Sequence, residues 1–75
     1  MNFINKGPNL SKGNNVYDIA VVDAVTLEEI AYYTGYYNIR AKTFKLYPNV
    51  LMAAGRGLGY KMEKQTINES QLVGF

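Results

Sequence analysis

The stretch from Thr26 to Gly35, TLEEIAYYTG, constrains the fold of this chain more than any other. Thr26 is a helix-capping residue type, and Glu29 stands three positions on, where the partner of a capping box belongs. Glu28 and Glu29 fall in the first turn, where the helix dipole favours negative charge. Leu27, Ile30, Ala31 and Thr34 recur at helical spacing. Gly35 then takes the position where a left-handed residue ends a helix. The pattern predicts a helix of about two turns with a marked stop.

The flanking segments are read against that helix. Val16 to Val22, VYDIAVV, is rich in β-branched residues and reads as a strand. After Gly35 a second helix is expected from Ile39 to Tyr47, stopped by Pro48, which lacks an amide hydrogen and disfavours helical geometry before it. NVLMAAGRGLGYKMEKQ reads as a hairpin, with Gly55, Gly57 and Gly59 permitting a tight turn. Residues 1–15 mix Gly, Pro, Asn and Lys and read as a flexible arm. Residues 66–75 read as a tail or a short helix, leaving residues 16–65 as the folded domain.

Composition narrows the functions open to such a chain. At 75 residues it forms one domain at most, and a chain this short buries only about 60% of its unfolded surface. Its hydrophobic content of 48% supports a folded core rather than general disorder. Without cysteine it has no disulfide or thiolate metal site, and without histidine it lacks the commonest general base and metal ligand. No nucleophile–base pair is visible, and Glu28 and Glu29 are helix neighbours that diverge. No enzymatic activity, cofactor or metal is expected. GRGLGYK lacks the Walker spacing of a nucleotide loop. No apolar run approaches the roughly 18 residues that span a bilayer, and the first residues lack the apolar stretch of a signal peptide. A soluble, cytoplasmic protein is the expectation.

The net charge of +2 says less about partners than its distribution does. From Ala31 through Met62 there is no acidic residue, while Arg40, Lys42, Lys45, Arg56 and Lys61 all fall there. Such segregation can build one basic face, the usual footprint of phosphate binding.

TLEEIAYYTGYYNIRAKTFKLYPN resembles the helix-turn-helix segment of bacterial and phage transcription regulators, and AAGRGLGYK resembles the wing hairpin of winged regulators. The matching features are Leu27-Glu28-Glu29, then Ile30-Ala31, then Gly35 four residues after the alanine. The resemblance implies an α+β fold, a minimal winged helix-turn-helix of two short helices packed on a small antiparallel sheet. A turn about three residues longer than usual places Ile39, Phe44 and Tyr47 in the core, with Tyr33 beneath the turn and Tyr32 exposed. It leaves Arg40, Lys42 and Lys45 outward.

In that fold the second helix enters the major groove of double-stranded DNA. Arg40, Lys42, Thr43 and Lys45 contact bases or phosphates, and Arg56 and Lys61 of the wing reach the flanking backbone or minor groove. One module offers a small contact area, so useful specificity implies a homodimer or cooperative partners. Lys6 and Lys12 of the arm add non-specific affinity. Stacking of tyrosines on unpaired bases is a lesser use, since most of them are needed as packing. The alternative is a small phage-type module that binds a host or phage protein. It would use Tyr32, Leu46 and the QLVGF end as an apolar surface.

Overall fold

A computed structural model of the chain describes residues 2–49 and 62–75. These residues build a curled six-stranded half-barrel in which 58% of positions are strand and none is α-helix. The strands are β1 (Asn2–Pro8), β2 (Val16–Val22), β3 (Glu29–Asn38), β4 (Thr43–Pro48), β5 (Gln65–Asn68) and β6 (Leu72–Val73). Their order across the sheet is β5-β4-β3-β2-β1-β6. All neighbours are antiparallel except β6, which lies parallel to β1.

The winged helix-turn-helix expectation is overturned. VYDIAVV is a strand over the expected residues, but the predicted first helix is a turn followed by β3. The predicted second helix is a turn over residues 39–42 followed by β4. Asn2–Pro8, expected within a flexible arm, pairs with β2 along its length. The expected wing, with Arg56 and Lys61, falls mostly on residues 50–61, outside the described residues. Among the described residues no helix is long and apolar enough to cross a membrane.

The helical reading failed at β3 because this strand is buried on both faces. Residues Ile30 to Gly35 are all buried, so the polar-apolar alternation that marks a half-exposed strand is missing. The tyrosine pairs then split by strand geometry, which sends successive side chains to opposite faces. Tyr33 faces the core, fully buried, and Tyr37 packs at its margin beside Phe44. Tyr32 and Tyr36 lie on the second face. Tyr32, expected to be exposed, is buried, and its hydroxyl donates to the Glu29 carboxylate. Phe44 joins the core as expected, whereas Ile39 (63% exposed) and Tyr47 point into solvent.

The core face carries Ile19 and Val21 from β2, Ala31 and Tyr33 from β3, Phe44 and Leu46 from β4, Ile67 from β5 and Leu72 from β6. Full burial of each large apolar side chain contributes about 1.5–3 kcal/mol. At one end Tyr17, Tyr37, Phe44 and Phe75 form an aromatic cluster, with Phe75 4.9 Å from both Tyr37 and Phe44. Curling of the sheet follows from a short connection. Residues Glu69–Gln71 form one 3-10 turn that carries the chain from β5, beside β4, to β6, beside β1. Four residue steps reach about 14 Å at most, so the two edges of the sheet must approach one another.

Gly35 has a different role from the helix stop expected of it. It is not among the left-handed residues of the described chain and sits mid-strand, opposite Tyr17 and Leu46. A methyl group there would lie 2.4 Å from Ile19 Cδ1, 3.3 Å from Leu46 Cδ2 and 3.4 Å from Phe44 Cδ2. These side chains fill the space above the glycine. Gly35→Ala is therefore expected to destabilise by about 1–3 kcal/mol through overpacking, read as a lowered urea midpoint. A helix-stop glycine exposed at a turn would give no such clash.

Candidate nucleic-acid interface

On β4 the sequence TFKLYP alternates, with Phe44 and Leu46 in the core and Thr43, Lys45 and Tyr47 on the second face. Register places Lys45 beside Tyr36 of β3 on one side and Thr66 of β5 on the other. Tyr47 pairs with Thr34 and lies diagonal to Tyr36, within reach of a long side chain. Their rings stand edge to face, with centroids 5.4 Å apart at 86°. Lys64 brings its ammonium to 5.2 Å from the Tyr47 ring centroid, a cation–π distance. Tyr36 and Tyr47 remain 44% and 37% exposed.

The turn between β3 and β4 sets the position of Arg40. Asn38 Oδ1 accepts from the Arg40 and Ala41 amides at 3.0 and 3.1 Å, so this side chain caps the turn. The Lys42 amide donates to the Asn38 carbonyl at 2.8 Å, and Lys42 takes a left-handed φ of 57°. Its carbonyl accepts from the Glu69 amide at 2.9 Å, tying the turn to the 3-10 segment. Lys42 is thus a corner residue whose backbone is engaged.

Beside this turn lies an open depression of about 450 Å³, lined by Tyr36, Asn38, Ile39, Arg40, Thr43 and Lys45 together with Asn15 and Tyr37. Three of the expected contact residues, Arg40, Thr43 and Lys45, therefore come together, on a sheet face and its adjoining turn rather than along a helix. Lys42 is exposed but does not line the depression, and Arg56 and Lys61 lie outside the described residues. No carboxylate lines it among the described residues, and the ion pair formed among these residues is Lys6 with Glu29, at 2.6 Å. That pairing holds the Lys6 ammonium above its ordinary pKa and fixes a cation expected to be mobile. Lys12 reaches the Thr34 hydroxyl at 3.4 Å.

Tyr36, Tyr47, Asn38 and Lys64 were not expected in the site. The strict alternation of Thr43 to Tyr47 is the signal that would have exposed Tyr47 together with Lys45. Comparison with known proteins supplies no relative: no family model matches the chain, nor does any curated protein or solved structure.

Tyr37 anchors the base of the site. Its hydroxyl donates to Glu69 Oε1 at 2.6 Å, and its amide donates to the Asn15 carbonyl at 2.8 Å. The hydrogen bond to this carboxylate, and after it the desolvation of the phenol, raise Tyr37 above its ordinary pKa. A raised folded-state value means the tie is fully present below the ordinary tyrosine range and is lost as pH rises through the folded value. Tyr37→Phe lacks the tie at every pH. The stability gap between wild type and this variant, measured as urea midpoints, is expected to narrow as pH climbs beyond the tyrosine range.

Proposed function

We propose that the protein binds single-stranded nucleic acid across the Tyr36–Tyr47 face. The observation that carries this reading is the arrangement of two exposed rings on a sheet with Arg40, Lys45 and Lys64 around them and no lining carboxylate among the described residues. Proteins that hold unpaired strands combine these parts: a cationic surface that follows the phosphates and aromatic side chains on which bases stack. A groove-reading helix is absent from the described residues, which removes the route to double-stranded DNA that the helix-turn-helix resemblance implied.

The roles divide by chemistry. Arg40 offers a planar fork to a phosphate, and Lys45 a compact charge. Asn38 has its side-chain oxygen committed to the turn, which leaves its amide hydrogens as donors toward the depression. Tyr36 and Tyr47 supply apolar surface to bases. The protein-interaction surface expected from the sequence loses two of its residues, because Tyr32 and Leu46 are buried.

Fluorescence anisotropy with a labelled oligothymidine at low salt tests the reading. Tyr36→Ala is expected to weaken binding by about fivefold to 150-fold, the range of one lost stacking contact of about 1–3 kcal/mol. Lys45→Ala is expected to reduce the slope of log affinity against log salt by about 0.7, one phosphate contact on a single strand. Absence of binding by the wild type, or equal binding by Tyr36→Ala, overturns the proposal. Preference for a duplex of the same length shifts it to paired DNA.

A further inference from the structure

The turn joining β2 and β3 presents two bare apolar side chains on a fixed frame. Val25 is 90% and Leu27 74% exposed. The frame is built by Asp23, whose Oδ1 accepts from the Val25 and Thr26 amides at 2.8 and 3.0 Å. Its carbonyl accepts from the Leu27 amide, and its amide donates to the Glu28 carbonyl, both at 2.9 Å. Thr26, expected to cap a helix, instead accepts from the Glu28 amide through its hydroxyl. Leu27 is held at φ 63°, a left-handed conformation that a branched apolar residue disfavours. The turn thus keeps Leu27 out of the core and in a strained backbone, with the carboxylates of Asp23 and Glu28 alongside.

At the opposite end of β3 lies its chemical complement. The depression there combines apolar surface from Tyr36 and Ile39 with the cations Arg40 and Lys45. A strand of ten residues spans about 30 Å between the two features, at about 3.4 Å per residue. The longest dimension of the described molecule is 34 Å, so the turn cannot reach the depression of its own chain. A second copy can supply it.

We propose that the β2–β3 turn of one copy seats Val25 and Leu27 against Tyr36 and Ile39 of another, with Glu28 near Arg40 and Lys45, so that the protein associates head to tail. Such a contact joins different patches on the two partners and leaves one of each free at the ends, which produces open chains rather than closed dimers. One turn covers less than the roughly 1,000 Å² of a stable interface, so association is weak. This inference does not rest on the nucleic-acid reading and is tested with the protein alone. The two meet at the depression, where an oligonucleotide and a neighbouring copy compete.

Sedimentation velocity at low salt, over a concentration series extending to hundreds of micromolar, tests it. The wild type is expected to shift to larger species with concentration and to return to monomer as salt rises. Leu27→Asn removes the apolar contact while tolerating the left-handed backbone, and Tyr36→Ala opens the acceptor at an exposed position. Each variant alone is expected to remain monomeric, with a circular dichroism spectrum like that of wild type. Mixed in equal amounts, they are expected to form a complex that stops at two chains, because the intact turn of one meets the intact depression of the other. A wild type that stays monomeric at the highest concentration overturns the proposal, as does either variant associating like wild type. A mixture that stays monomeric, or one that grows beyond two chains, overturns it also.

Discussion

The chain must pass from one edge of its sheet to the other within a single 3-10 turn. Asn68 ends β5 beside β4, and Leu72 begins β6 beside β1. A flat six-stranded sheet in this order would hold β5 and β6 about 24 Å apart, five strand spacings of about 4.8 Å, which exceeds the reach of the connection. The sheet therefore curls, and curling lets so short a chain enclose a core face. Hydrogen bonds within the turn and to its neighbours hold it in place. The Asn68 amide donates to the Gln71 side chain, the Glu69 amide to the Lys42 carbonyl, and the Tyr37 hydroxyl to the Glu69 carboxylate. The last two reach the β3–β4 turn and β3, so the curl of the sheet and the shape of the depression depend on one another.

Curling also explains what Gly35 does. Side chains on the inside of a tight curve crowd together, and a position without a side chain relieves them. Ile19, Leu46 and Phe44 converge over Gly35 from neighbouring strands. Tyr33, two positions back on the same face, is fully buried and accepts a hydrogen bond at its hydroxyl from the Gln65 side-chain amide at 3.1 Å. The inner face of β3 thus alternates a large residue with a vacancy that its neighbours fill.

Legibility of the fold in the sequence depended on how each strand is buried. Val16 to Val22 was readable because β-branched residues dominate it. Thr43 to Tyr47 carried a strict alternation, but Gly35 upstream and Pro48 downstream are also helix stops, and that punctuation outweighed the period of two. Thr26 to Gly35 was misleading on physical grounds. A strand buried on both faces has no polar stripe, and Asp23 and Thr26 hold a β-turn with residue types that also cap a helix, while Glu29 begins β3 and binds the Tyr32 hydroxyl and Lys6. The closing 3-10 turn and β6 had no signal beyond a few polar residues before Leu72. For the site, the acid-free run from Ala31 to Met62 drew attention to Arg40, Lys42, Lys45, Arg56 and Lys61, of which Arg40 and Lys45 line the depression among the described residues. The rings beside them became visible only once register put Tyr36 next to Lys45.

The location of both proposed contacts follows from the burial of β3. Its middle, from Ile30 to Gly35, is covered on both faces and has nothing to offer a ligand. Function on this strand is confined to its ends and to the turns they enter. At the start, Asp23 fixes a turn whose apolar side chains have no place in the core; at the end, Asn38 fixes a turn whose cation stands clear of the sheet. In both turns one side-chain oxygen accepts two backbone amides, and in both a non-glycine residue takes a left-handed φ. The rigid middle of β3 holds these two turns at a fixed separation. In the proposed head-to-tail chain the turn meets one neighbour and the depression another, so this separation sets the repeat from copy to copy.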